Sequence, residues 1–268
     1  MIKRNSAIII LCCFILLITS CNNAADENSK APAPANTEQA LKEAIAQFPD
    51  SLTLVQNLIE FYRETGDYDS ALNLTDAQIK KDSGNPFLWN MKATLHFQND
   101  DTINAIKSLE QAIYIYPLPE YLVALGTVFA EIKNPRALII ADSLLKADRV
   151  KSGKDAMFIK GLYYSYNNDK PKAINYFDSS LSMDFTYMFA YREKAIALYD
   201  LGKYLEALSV LRKAVTLQNN FDEGYYWMGR IYEKLGKKQD AIQSFQTALL
   251  YDKNFLEARE SLDSLRKK

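Results

Sequence analysis

The run Tyr225-Tyr226-Trp227-Met228-Gly229-Arg230-Ile231-Tyr232, followed by Leu235-Gly236 and then by Ala241-Ile242-Gln243-Ser244-Phe245-Gln246-Thr247-Ala248, reads as two helices joined by a tight turn at Gly236. At steps of 34 residues before Gly236 stand Gly202, Asn168, Asn134, Asp100 and Gly66. All six are residue types that tolerate the left-handed backbone of a tight interhelical turn. A second series keeps step with the first: Ala71, Ala105, Ala173, Ala207 and Ala241 each lie five residues beyond their turn. Two landmarks in phase from about Leu52 to Phe255 predict six copies of one helix-turn-helix unit.

With its 34-residue period, the pattern resembles the tetratricopeptide repeat. The resemblance implies an all-α, right-handed superhelical solenoid of about six such repeats with terminal capping helices. It implies that Gly229 is the small residue where paired helices cross and Tyr232 a buried aromatic. Ala241 and Ala248 would be the close contacts of the second helix, and Phe245 its core anchor. Residues 52–85, 86–119, 154–187, 188–221 and 222–255 fit the template without a gap. The copy at 120–153 is degenerate: Gly126 falls one residue early, and Ala137 and Ala141 straddle the expected alanine. A helix within 37–51, carrying Leu41, Ala44, Ile45 and Phe48, and another within 256–268, carrying Leu256, Leu262 and Leu265, are expected to cap the array.

Residues 1–20 read as a targeting segment. Lys3 and Arg4 precede an apolar run of 12 residues from Ala7 to Ile18, short of the roughly 20 that span a bilayer. The run meets Ile18-Thr19-Ser20-Cys21, which resembles the lipobox of bacterial lipoproteins. That resemblance makes Cys21 the site of lipid attachment; ordinary secretory cleavage is the alternative. Residues 21–36, polar and interrupted by Pro32 and Pro34, read as a lipidated cysteine followed by a flexible tether. The expected location is a lipid anchor in the bacterial cell membrane, the outer ahead of the inner, facing the periplasm or the cell surface.

Composition narrows the function classes. The chain is 48% hydrophobic and 12% aromatic, enough for a continuous helical core. Without Lys3 and Arg4 the 32 basic residues fall to 30 against 33 acidic, a net charge of −3, so no electrostatic case for a nucleic acid partner remains. His96 is the only histidine and falls, in phase, on the place of Tyr62 and Tyr164. A multi-histidine metal site is thereby excluded, and any triad would have to use a residue placed for packing. The nine glycines are single, so no phosphate-cradling loop is formed. The expectation is a chain without cofactor, metal or catalytic residues.

Lys92, Lys160 and Lys194 recur at one place in three repeats. They form either a basic ladder toward an acidic partner or stems packed on a neighbouring helix with the amine reaching water. In the family resembled, the exposed side of each first helix lines a concave groove. Carried over, that register gives Gln56, Asn57, Glu60 and Arg63, then Phe87, Asn90, Thr94 and Phe97. It continues with Phe158, Leu162 and Tyr166, with Phe189, Arg192, Ile196 and Tyr199, and with Tyr226, Trp227, Arg230 and Glu233. The Lys and Asn arrangement by which some members grip a C-terminal carboxylate is not reproduced, since Gln56, Glu60 and Asn90 stand in or near those places. Exposed aromatics flanked by Arg have the composition of interface anchors. The expected function is a non-catalytic, membrane-anchored scaffold or assembly factor of the bacterial envelope that binds a protein or peptide in this groove. Phe158, Tyr199, Tyr226 and Trp227 would be its apolar anchors, with Arg192 and Arg230 fixing orientation. The alternative is a surface lipoprotein that stacks carbohydrate on the same aromatics.

Overall fold

The computed structural model describes residues 37–267, which are helical throughout with no strand among the described residues. The expected signal segment, Cys21 and the expected tether lie outside the described residues. The chain divides into two compact units, Met1–Tyr121 and Leu122–Lys268.

In the first unit α1 (Glu38–Gln47), α2 (Leu52–Thr65), α3 (Tyr68–Lys81), α4 (Pro86–Gln98) and α5 (Thr102–Ile115) each pack on the next along the chain. Their starts are set by side chains that accept otherwise unpaired backbone N–H groups: Thr37 from Ala40, Ser51 from Leu54, Asp67 from Ser70, Asn85 from Phe87 and Asp101 from Asn104. Leu41 on α1 joins Val55, Leu58, Ile59, Tyr62, Ala71 and Leu95 in one core. The Tyr62 hydroxyl donates to Glu38 at 2.9 Å, tying α1 to α2.

The helix α6 (Pro119–Glu131) supplies its residues from Leu122 on to the second unit. There α7 (Arg136–Ala147), α8 (Arg149–Tyr166), α9 (Lys170–Met183), α10 (Met188–Asp200), α11 (Tyr204–Leu217), α12 (Asp222–Lys234), α13 (Lys238–Tyr251) and α14 (Leu256–Lys267) follow in order. The first helices also touch one another, α8 with α10 and α10 with α12, so they form a row. In two of the pairs the crossing is made by glycine: a Cβ on Gly229 would lie 2.5 Å from Phe245 Cε1, and Gly161 faces Phe177 in the same way. In α14 the buried residues are Ala258, Leu262 and Leu265. Leu256, expected on that face, is 57% exposed.

The turn residues show what happened in the degenerate copy. Gly66, Asp100, Asn168, Gly202 and Gly236 hold positive φ, between 58° and 78°. In the third copy the left-handed residue is Lys133, with φ 60°, and not Asn134. Asn134 instead closes the turn: its N–H donates to Phe129 O at 2.8 Å, and its side chain accepts from the N–H of Arg136 at 3.0 Å. The next turn is tightened as well. Ala137 N donates to Asn134 O three residues back, whereas Ala71, Ala105, Ala173, Ala207 and Ala241 each donate four residues back. Ala137 and Ala141 are therefore both fully buried, and Ile139, where the period places an alanine, is 65% exposed. The second helix runs two residues ahead of phase. The phase is regained at the α7–α8 junction, where Asp148 alone connects the helices and α8 starts at Arg149 instead of at 154.

A lysine in the left-handed region carries a steric cost of roughly 1–2 kcal/mol that glycine avoids. Lys133→Gly is accordingly expected to raise stability by about 0.5–1 kcal/mol in denaturant titration, and Asn134→Gly to lower it by removing the side-chain cap. The opposite order of the two variants would contradict the one-residue slip.

Candidate interaction surface

The recurrent lysines are not free. Lys92 Nζ lies 2.7 Å from Asp76, Lys160 Nζ 2.7 Å from Asp142 and Lys194 Nζ 2.5 Å from Asp178. Each pair joins a first helix to the helix before it, α4 to α3, α8 to α7 and α10 to α9. The stems are largely buried, as one reading expected, but the amines end on aspartates and not in water. Asp76 and Asp178 stand in phase. Asp142 stands where the two-residue slip moves position 144, an independent sign of the same displacement.

Of the aromatic anchors read from the sequence, two belong to the core. Phe158 is 1% exposed, its ring 5.3 Å from Tyr187 and 5.9 Å from Phe177. Tyr226 is 9% exposed, with its ring 4.9 Å from Phe255 and 5.8 Å from Phe245. Leu162 is likewise fully buried. The physical reason is the aromatic that ends each repeat, Tyr187 after the fourth and Phe255 after the sixth, which folds onto the first helix of its own repeat and covers this place.

Arg192 is also committed elsewhere. Its side chain is 7% exposed, its Nη1 donates to both Glu223 oxygens at 2.6 and 2.5 Å, and its Nε donates to Glu193 at 3.0 Å. Burial works against the guanidinium charge, but Glu223 and Glu193 outweigh it and hold the pKa above its ordinary value. Burial raises the pKa of Glu193, with Arg192 working against that rise. This bridge ties α10 to α12 and leaves no donor set aimed at a ligand. Glu223 was the residue missed in sequence: it sits in the first turn of α12, where an acidic residue reads as a helix-dipole partner.

The accessible part of the row is smaller and sharper. Tyr166, Phe189, Ile196, Tyr199, Trp227 and Arg230 are half-buried. Tyr199 packs edge-on against Trp227 at 5.7 Å and against Tyr204 at 5.4 Å. Arg230 receives no buried counter-charge: its Nη1 donates to the Tyr226 hydroxyl at 2.8 Å, and Glu233 lies 3.5 Å from its Nε. In the first unit Phe87 is 44% exposed, and Asn90, Thr94 and Phe97 are half-buried on α4. The Thr94 hydroxyl donates to Asn90 O at 3.1 Å. Arg63 is held by Glu60 and Gln98.

His96 is half-buried, its Nδ1 3.3 Å from Asp101; burial lowers its pKa, with Asp101 pulling the other way. Among the described residues no three His, Cys, Asp or Glu side chains converge as for a metal ion, and no helix is long and apolar enough to cross a membrane.

Models of the tetratricopeptide repeat match residues 31–95, 88–117 and 222–255, and a model described as TPR repeat matches 196–236; together they span more than half the chain. The DnaJ homolog subfamily C member 7 of Mus musculus is 28% identical over 117 residues, 44% of this chain and 24% of that protein. A TPR repeat-containing protein of Methanocaldococcus jannaschii is 25% identical over 227 residues, 80% of this chain and 38% of that protein. The chain thus spans about a quarter to two-fifths of the length of these curated relatives. The crystal structure of a tetratricopeptide repeat protein from Parabacteroides merdae matches with a TM-score of 0.66 at 20% identity, over 85% of this chain and 91% of that one, a likeness of fold. The chain belongs to the tetratricopeptide repeat family, whose repeats build scaffolds for protein–protein interaction.

Proposed function

We propose that the protein is a non-catalytic scaffold of the bacterial envelope, held to the membrane through an acylated Cys21, that binds a peptide or protein segment on the first-helix row of its second unit. The observation that carries the reading is the accessible aromatic cluster of Tyr199 and Trp227 beside Arg230. These rings pack on the edge of the core, whose layer between helices is already filled by Phe158, Phe177, Phe245 and Tyr226. Rigid aromatics next to a guanidinium without a buried counter-charge are the residue types that dominate binding energy. The row replaces the anchors read from sequence: Phe189, Tyr199, Trp227 and Arg230 take the role that Phe158, Tyr226 and Arg192 cannot. The anchor reading rests on the sequence around Cys21.

Trp227→Ala and Tyr199→Ala are each expected to weaken partner capture by about 2 kcal/mol, roughly thirtyfold in affinity, while circular dichroism stays helical. Crosslinking and mass spectrometry from solubilised membranes measures this; partner recovery equal to wild type would remove the row from the site. Binding on a glycan array that depends on the same two rings would favour carbohydrate instead. For the anchor, a fatty-acid analogue should label wild type and not Cys21→Ala.

A further inference from the structure

The slipped third copy leaves a corner unlike the other turns. Asp148 is both the last cap of α7 and the first of α8. Immediately after it Val150 stands 94% exposed, between exposed Arg149 and Lys151, with exposed Lys146 one turn back on α7. Among the described residues none of these three cations has an acidic partner. The acids nearby are already used. Asp148 accepts from the N–H groups of Val150 and Lys151, both at 3.0 Å. Asp184 accepts from Lys154 Nζ at 2.6 Å and from the N–H of Thr186 at 2.9 Å.

The same ion pair brings the α9–α10 turn to the corner. Met183 Sδ and Arg149 Cγ both border Gly153, so the two side chains are neighbours. Met183 is 41% and Phe185 62% exposed. Val150 at the one-residue turn, and Met183 and Phe185 at the α9–α10 turn held to it by the Lys154–Asp184 pair, are thus exposed beside three unpaired cations. Apolar side chains that protrude among cations suit a soft anionic interface better than a protein surface, which would need a pocket for each.

We propose that this corner is a contact for an anionic lipid surface, with Val150 and Phe185 entering the headgroup region and Lys146, Arg149 and Lys151 meeting lipid phosphates. The contact does not depend on acylation of Cys21 or on the first-helix row. It would set which edge of the second unit faces the bilayer.

The test uses the full chain isolated from membranes, with Val150→Cys carrying bimane and Lys237→Cys, on an opposite-type turn, as the control site, each read against the parent chain labelled alongside. With phosphatidylglycerol vesicles the label at 150 is expected to shift to the blue and the label at 237 to stay unchanged. Phosphatidylcholine vesicles should give no shift at 150. Arg149→Glu combined with Lys151→Glu should weaken the phosphatidylglycerol response about tenfold or more, and added salt should weaken it further. No shift with phosphatidylglycerol, or an equal shift on phosphatidylcholine, overturns the proposal. A shift with polyglutamate and none with vesicles also overturns it, and reassigns the corner to an acidic protein. Co-sedimentation with phosphatidylcholine vesicles reads the acyl anchor separately, so either idea can fail alone.

Discussion

Arg192→Met is expected to destabilise the protein by about 3–5 kcal/mol, because it removes the cation that bridges two buried carboxylates. Glu223 and Glu193, 9% and 13% exposed at the side chain, would be left facing each other across the α10–α12 contact. The pH dependence gives the mechanism. Burial already places the folded pKa of Glu193 above its ordinary value, and without the guanidinium it rises further. A carboxylate with a raised folded pKa binds more protons folded than unfolded, so its stability contribution is complete at acid pH and lost as pH rises through the folded value. The deficit of Arg192→Met relative to wild type should therefore be largest near pH 7 and shrink toward pH 4.5 in urea titrations. A deficit that is small, or flat with pH, would show that the bridge is not desolvated. The double variant Arg192→Met, Glu223→Met should recover only part of the loss, because an apolar pair can match the Arg192–Glu223 bridge while Glu193 stays buried without its cation.

Phe245→Ala is expected to cost about 3–5 kcal/mol, the usual range for emptying a fully buried aromatic site. The ring lies against Gly229, which permits the close crossing of α12 and α13. Gly229→Ala in wild type places a methyl 2.5 Å from Phe245 Cε1 and forces the ring to move, costing roughly 1–3 kcal/mol despite the better helix propensity of alanine. In the Phe245→Ala background that obstacle is gone. There Gly229→Ala should be neutral or stabilise by up to about 1 kcal/mol. This change of sign in a double-mutant cycle tests the close approach directly, and additive costs would contradict it.

The fold was legible because each helix pair repeats the same packing problem. The alanines at 71, 105, 173, 207 and 241 are fully buried, as their phase predicts. The left-handed residues at 66, 100, 168, 202 and 236 fall where the turn requires them. The third copy was recognisably out of phase, but its repair was not readable. Asn134 is the better left-handed residue by type, yet Lys133 takes that backbone because the helices on either side set the turn length. Side-chain preference loses to packing there.

The interaction surface was half legible. Register along a first helix identifies which residues turn away from the second helix, and at Tyr199, Trp227 and Arg230 it marks side chains that packing leaves partly exposed. It failed at Phe158, Tyr226 and Arg192, which share that register. Phe158 and Tyr226 are covered by Tyr187 and Phe255, and Arg192 by Glu223, residues some 30 positions further along the chain. Periodicity acts within 34 residues and specifies helices, turns and crossing points, all of which arise from local backbone geometry and the size of the side chain at a contact. Exposure depends on what a neighbouring layer places over a side chain, and charge availability on which counter-charge reaches it. Both are properties of the packed layers, and they turned a broad list of aromatics and cations into a few accessible groups.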